Sequence, residues 1–384
     1  MAFKINFYIV QFEDLENKMT EKKLGSKIEG EEYLVLHEFV KKAREKLPKE
    51  TWDYLIGASE TETTFKRNRF ALDNIAFRPR VLRDVENVDL SVDLFGHNLK
   101  MPVILAPIGS MQDFVDGAGT APTLAASEFG IMHMISSTCM PGLEEVAKSV
   151  NYPKLFQLYV RGDKDWVDDN IKNAMDHNYA GICLTVDLDA YGRRERDLAK
   201  RYRTTSRQSA SGFEHQMRFS WKDIDRIKSY CNLPIIIKGI ATKEDALLAV
   251  EHGVEVVYVS NHGGRQLDYG LGGLNVLPEI SEAIGDNAKV IFDGGIMRGT
   301  DVVKAIALGA DCVGIGRLQG FAAAAGGSKA IVRMLELLEL EISTALRLLG
   351  VNSIFDLDDT YLSKDYSFGK LSALSAFPLI DEGY

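Results

Sequence analysis

A chain of 384 residues with 46% hydrophobic side chains is long enough to bury a full-sized core, so a globular protein is expected. Its formal net charge of -10 argues against nonspecific binding to nucleic acid or to anionic membranes, whose phosphates repel an acidic surface. Cys139, Cys183, Cys231 and Cys312 form no CxxC pair, and Cys183 and Cys312 lie inside apolar runs, which suits reduced core thiols better than a disulfide or metal framework.

Residues 1–30 are polar and poorly periodic and are expected to form a loosely held arm. The short apolar run from Ile5 to Phe12 meets Asp14 and Glu16 without a small-residue cleavage site, so no signal peptide is read. No uninterrupted apolar stretch is long enough to span a bilayer, and a cytoplasmic protein is expected. From Tyr33 to Leu47, the residues Leu34, Phe39, Ala43 and Leu47 recur at helical spacing. Pro48 interrupts before a second helical stretch carrying Trp52, Tyr54 and Leu55, and the pair reads as a helical cap.

Beyond the cap, short apolar runs alternate with turns and helical segments. The runs are Pro102 to Pro107, Ile131 to Ser137, Leu155 to Val160, Gly181 to Val186, Pro234 to Gly239, Val254 to Ser260, Lys289 to Asp293 and Cys312 to Gly316. Near-continuous hydrophobes suit strands buried on both faces, as in a parallel sheet. Alternation with helices over roughly 240 residues suits a closed α/β architecture, the (β/α)8 TIM barrel. The competing open, doubly wound sheet would show GxGxxG after its first strand, and no such string follows Pro107. The expected organisation is an arm over 1–30, a barrel domain with its cap over 31–362, and a tail over 363–384. The longest gap between strands, Asp187 to Leu233, holds the basic, Ser-rich piece Arg193 to Arg207, expected as a long loop over the barrel mouth. Composition makes Thr204 to Ser211 a mobile stretch. Gly320 to Leu349 reads as the closing helix.

Barrel enzymes collect reactive groups at the carboxyl ends of their strands. Those ends carry Gly109, Ser136, Gln157 and Tyr159, Thr185 and Asp187, Lys238, Ser260 and His262, Asp293 and Gly295, then Gly316 and Arg317. Polar residues at so many mouth positions point to a ligand site, because buried polar groups without partners are costly. The densest segment, Ser260-Asn261-His262-Gly263-Gly264-Arg265-Gln266-Leu267-Asp268, places a proton acceptor and a carboxylate clamp on one turn, as general-base chemistry on an acid substrate requires.

The string SNHGGRQLD resembles the active-site signature of the FMN-dependent 2-hydroxy acid dehydrogenases and oxidases, the family of glycolate oxidase, lactate oxidase, lactate monooxygenase and mandelate dehydrogenase. The resemblance extends to KLPKETWDY (46–54), FRPR (77–80), FQLYV (156–160), LTVD (184–187), GRRE (192–195), IKG (237–239), FDGG (292–295) and GIGR (314–317). It implies FMN as cofactor, a small anionic 2-hydroxy acid as substrate, oxygen or another acceptor for the electrons, and a homotetramer. By similarity, His262 would take the hydroxyl proton of an L-2-hydroxy acid while hydride passes to flavin N5, with Asp187 holding the imidazole. Arg194 and Arg265 would grip the carboxylate, and Tyr54 and Tyr159 would contact the substrate. Lys238 would lie beside flavin N1. Ser136, Gln157, Thr185 and Ser260 would bond the isoalloxazine edge, and the backbone of Pro107, Ile108 and Gly109 would face N5. The phosphate would rest between Asp293-Gly294-Gly295 and Gly316-Arg317. No metal is implied.

The chain departs from the family pattern in places. Met297 stands where several members carry the first of two arginines, so a contact to the phosphate or mouth is lost. Thr138 replaces a bulky aromatic residue and implies a roomier or differently polar pocket. Gly109 matches the dehydrogenase and monooxygenase branches, whereas oxidases tend to have alanine. Two further readings stay open on sequence: a flavin barrel acting on a larger, lactone or peptide-type substrate, and a non-catalytic flavin-binding protein.

Overall fold

A computed structural model of the chain describes residues 32–208, 210–364 and 372–383. The chain divides into two compact units, Met1–Leu34 and Val35–Tyr384, and the barrel and its cap helices belong to the second. The arm expected over 1–30 lies outside the described residues.

Eight parallel strands close into a barrel: β1 (Val103–Leu105), β2 (Met132–Ser136), β3 (Leu155–Leu158), β4 (Gly181–Thr185), β5 (Ile235–Ile240), β6 (Val256–Val259), β7 (Lys289–Phe292) and β8 (Cys312–Ile315). Each pairs with its sequence neighbours, and β8 closes on β1 through Val313 beside Val103 and Ile315 beside Leu105. The fold is the expected (β/α)8 barrel, and every strand falls inside its apolar run except β5, which extends one residue beyond it to Ile240.

The packing explains why the site sits where it does. Ile104, Met132 and Met134, Leu155, Cys183, Ile236, Val256 and Tyr258, Ile291 and Cys312 share the barrel core. Side chains alternate along a strand with period two, so the next positions on the same inward face are Ser136, Gln157, Thr185, Lys238, Ser260, Asp293 and Gly314. The interior is thus hydrophobic below and polar at its carboxyl end. An antiparallel hairpin, Val92–Leu94 with His97–Leu99, contributes Val92, Leu94 and Leu99 to the same core at the opposite end. Its short polar-apolar pattern gave no strong signal in the sequence.

Helices His37–Lys46 and Lys49–Ile56 form the cap on either side of Pro48, and Thr63–Asp73 follows. The closing helix starts earlier than expected, at Arg317, and runs to Leu349 with a break at Gly326 and Gly327. The piece expected as one long loop instead carries the short helix Glu195–Ala199 and the start of Thr205–Gln208, and Phe213–Arg218 and Trp221–Lys228 follow in the same gap. Within the stretch composition made mobile, the Thr205 amide donates to Asp113 Oδ2 at 2.9 Å and Ser206 Oγ lies 2.5 Å from Ser110 Oγ.

Candidate active site

The carboxyl end of the barrel opens into a cavity enclosing about 1290 Å³ of empty space, part of it open to solvent. Pro107, Ile108, Gly109, Tyr54, Tyr159, Arg194, Lys238, His262, Arg265, Asp293, Gly294, Gly295, Gly316 and Arg317 all line it. Tyr54 and Arg317, far apart in the chain, therefore share one wall. Ser136, Gln157, Thr185 and Ser260 are buried at the strand ends, and the half-buried Asp187 backs His262.

The turn after β6 is held in a conformation that needs its glycines. His262, Gly263 and Gly264 have φ of 56°, 62° and 77° in succession. A Cβ on Gly264 would fall 2.6 Å from the Phe65 amide nitrogen, so only glycine lets this turn sit against the cap. His262 Nδ1 lies 2.9 Å from Asp187 Oδ1, which leaves Nε2 facing the cavity, 3.4 Å from the Tyr159 hydroxyl. Burial pulls the His262 pKa below its ordinary value against the opposing charge of Asp187, so the imidazole is neutral at neutral pH. Asp187 is itself held below the usual carboxylate range: burial acts to raise it, but His262 and Lys238 outweigh that.

Ser260 is a hub. Its Oγ accepts from the His262 amide at 3.0 Å and from Lys238 Nζ at 2.7 Å, and it donates to Asp293 Oδ1 at 2.6 Å. With both lone pairs and its proton engaged, this hydroxyl orients Lys238 and the His262 turn instead of reaching a ligand. Burial acts against the Lys238 ammonium, but Asp293 and Asp187 hold its pKa above the ordinary value, so it stays charged.

Two guanidinium groups converge on Tyr54. Arg265 lies 4.4 Å and Arg194 5.8 Å from the ring centroid. Arg265 Nη1 donates to the carbonyls of Tyr54 and Gly57 at 2.7 and 2.9 Å, which ties the cap helix to the turn after β6. Its Nη2 is buried without a partner among the described residues. Burial acts to raise the Tyr54 phenol, but Arg265 and Arg194 together leave it below its ordinary value. A cavity that concentrates positive charge in this way is built for an anion.

The glycine turn after β7 is locked from behind. A Cβ on Gly295, at φ 89°, would meet the Asn68 backbone at 3.1 Å. Arg69 donates to the Gly295 carbonyl at 2.7 Å and to Asp301 at 2.6 and 3.0 Å, while Asp301 Oδ2 accepts from the Met297 and Arg298 amides at 2.9 Å each. Arg298 points away, into an ion pair with Glu341 at 2.7 Å, and Met297 lines the cavity in its stead. Arg317, expected to serve the phosphate, donates to the carbonyls of Gly263 and Gly57 at 3.0 and 2.7 Å, and its Nε has no partner among the described residues.

Several contributors were not singled out in the sequence. Asp268 accepts from the Thr61 amide and hydroxyl at 3.0 and 2.7 Å and from the Thr64 amide at 2.8 Å. Gln266 Nε2 donates to the carbonyls of Asp187 and Ala190 at 3.0 and 2.9 Å. Both belong to the SNHGGRQLD string, so the signal was present without a role attached. Asn68, whose amide pairs with that of Asn261 at 2.9 and 2.7 Å, sits on a cap helix whose sequence gives no hint of it.

Comparison with known proteins agrees with this architecture over most of the chain. The model of the family described as FMN-dependent dehydrogenase fits residues 43–364. The chain belongs to that family. Glycolate oxidase 3 of Arabidopsis thaliana is 37% identical over 86% of this chain and 95% of its own length. An L-lactate oxidase of a Nostoc species is 34% identical over 85% and 97%. A crystal structure of mandelate oxidase with (S)-2-phenylpropionate superimposes with a TM-score of 0.80 at 34% identity, covering 86% of this chain and 98% of that one. The protein is thus an oxidoreductase acting on CH–OH donors, and its cofactor is FMN.

The residues of this FMN-dependent dehydrogenase fit that group. Both polar atoms of the Gln157 amide and the Thr185 hydroxyl are buried without partners among the described residues. Burying such groups unsatisfied costs roughly 1–3 kcal/mol each, and a heteroaromatic ring edge with alternating donors and acceptors would satisfy them. Among the described residues no group of three or more His, Cys, Asp or Glu is placed to hold a metal ion.

Proposed function

We propose that this enzyme oxidises a small L-2-hydroxy acid to the 2-keto acid, with His262 as the base. The observation that carries the reading is the meeting, in one cavity, of a neutral imidazole backed by Asp187 with the guanidinium groups of Arg194 and Arg265. The names of the relatives, which cite glycolate, L-lactate and mandelate, support the same substrate class.

Arg194 and Arg265 hold the substrate carboxylate, Arg265 through its unpartnered Nη2. The Tyr159 hydroxyl, 3.4 Å from His262 Nε2, and the Tyr54 phenol orient the 2-hydroxyl toward the imidazole. His262 Nε2 takes the hydroxyl proton, and Asp187 stabilises the imidazolium through Nδ1. Bound FMN supplies the acceptor for the α-hydrogen and its electron pair. Lys238, kept charged by Asp293 and Asp187, would compensate the negative charge left by that transfer. Gln157 and Thr185 would bond the ring edge, with Ser136 beside them. The backbone of Pro107, Ile108 and Gly109 would face the ring, and the turns Asp293-Gly294-Gly295 and Gly316-Arg317 would hold the phosphate. Oxygen or another acceptor then removes the electrons.

Anaerobic mixing of the yellow holoenzyme with a panel of L-2-hydroxy acids tests this directly. Bleaching of the flavin absorbance is expected, and in His262→Gln the flavin stays bound while the bleaching rate falls by several orders of magnitude. A holoenzyme that no 2-hydroxy acid bleaches, or a His262→Gln variant that reduces at the normal rate, refutes the proposal.

A further inference from the structure

The proposed reaction leaves unused a second group of cationic side chains in the same cavity. Arg161, two residues beyond Tyr159, and Arg207, in the short helix Thr205–Gln208, both line it. The Arg161 guanidinium carbon lies 5.7 Å from the Tyr159 ring centroid and 4.1 Å from that of Phe213. Since the Tyr159 hydroxyl approaches His262, Arg161 is one aromatic ring away from the reacting centre. Arg207 lies 3.9 Å from the Tyr191 ring centroid, and Arg194 lies 4.3 Å from the same centroid. The carboxylate clamp and the second group are therefore joined through one tyrosine.

Arg161 makes ring contacts but no ion pair among the described residues. Its Nη1 is buried and makes no hydrogen bond among the described residues, and no carboxylate pairs with it there. Its backbone is nevertheless fixed. The segment after β4 packs directly on its backbone, where a Cβ on Gly212 would fall 2.0 Å from the Arg161 carbonyl oxygen. Gln216 clamps that segment down, accepting from the Val160 amide at 2.9 Å and donating to the Thr185 carbonyl at 3.1 Å. A charged donor atom buried without an acceptor is costly unless a ligand acceptor completes it.

The charges in the cavity point the same way. Asp293 and Asp187 oppose Lys238, Asp197 opposes Arg194, Arg207 and Arg265, and Glu62 opposes Arg317, whereas no carboxylate acts on Arg161 among the described residues. Arg161 thus stands without an opposing carboxylate among the described residues, and the phosphate and a single substrate carboxylate leave it without a partner. We infer that the substrate carries a second anionic group distal to the 2-hydroxy acid, and that Arg161, assisted by Arg207, binds it: the substrate class is a 2-hydroxy dicarboxylate. An aromatic substituent fits less well. Phe213 already stacks on Arg161, and a further ring would leave Nη1 without an acceptor.

This inference rests on the proposed hydroxy acid oxidation, and its test separates the two. Anaerobic flavin reduction by the FMN-loaded enzyme is measured with L-malate and L-2-hydroxyglutarate against L-2-hydroxybutyrate and L-2-hydroxypentanoate. The better dicarboxylate should exceed the better monocarboxylate in kcat/KM by at least about tenfold, the lower end of what one buried charge-assisted hydrogen bond yields. In Arg161→Gln that ratio should collapse by about tenfold or more, and Arg161→Lys should restore part of it. Isothermal titration with glutarate and butyrate, which lack the reacting hydroxyl, should reproduce the preference and its loss. Monocarboxylates that bleach the flavin as well as dicarboxylates do, or a ratio unchanged in Arg161→Gln, overturn the inference and leave the oxidation reading standing. If no 2-hydroxy acid of either kind bleaches the flavin, both fall.

Discussion

Replacing Asp187 by asparagine tests the catalytic pair with little change of shape. The carboxylate oxygen lies 2.9 Å from His262 Nδ1, and an asparagine carbonyl can accept the same hydrogen bond. What is lost is the charge facing the imidazolium that forms when His262 takes the proton. At an effective dielectric constant of about 20, a charge pair separated by about 4 Å interacts by about 4 kcal/mol. Allowing for the retained hydrogen bond, a loss of about 3–4 kcal/mol corresponds to a reduction slowed by roughly 10²–10³-fold. The pH dependence has a definite sign. Burial lowers the His262 pKa and Asp187 opposes it, so without that charge the pKa drops further. The acid limb of kcat/KM, already expected below the ordinary histidine value near about 6.5, should move to lower pH while the plateau falls. Stopped-flow flavin reduction across pH measures both, with bound-flavin absorbance confirming the fold. A plateau within threefold of the parent enzyme, or a limb displaced upward, would refute the assignment.

Three further outcomes are expected. Gly109→Ala would place its Cβ 2.4 Å from Thr138 Oγ1, forcing that side chain to rotate out of its 3.2 Å contact with Ser136; a loss of about 1 kcal/mol is expected, largely relieved in Gly109→Ala/Thr138→Ala by thermal denaturation. Asp301→Ala strands the buried Arg69 guanidinium and frees the Met297 and Arg298 amides, so stability should fall by about 3 kcal/mol and flavin should dissociate more readily in equilibrium dialysis. Asp268 is held at a pKa of about 2, where burial acts to raise it but hydrogen bonds from Thr64 and Thr61 prevail. Because its folded pKa is depressed, its stabilising contribution is complete above the ordinary carboxylate pKa and disappears as pH falls through about 2; Asp268→Ala should lower the melting temperature at pH 7 and flatten its acid dependence between about pH 5 and 2.

The apolar runs and their spacing determined the barrel, because strands buried on both faces must be hydrophobic almost throughout and their helices set the interval between them. Motif strings determined which side chains reach its mouth: a proton acceptor, its carboxylate and two guanidinium groups are chemically distinctive and lie at strand ends. The sequence could not say which of those polar groups are used up by one another. Only the tertiary structure turned Ser260 into a saturated hub, engaged Arg317 with the Gly263 and Gly57 carbonyls, and left Gln157, Thr185 and Arg161 with atoms still to satisfy. Hydrogen-bond saturation depends on which distant segments meet, such as Asn68 on Asn261 or Phe213 on Arg161. No local pattern encodes such pairings, because they arise when the closed barrel brings strand ends and cap together around one axis.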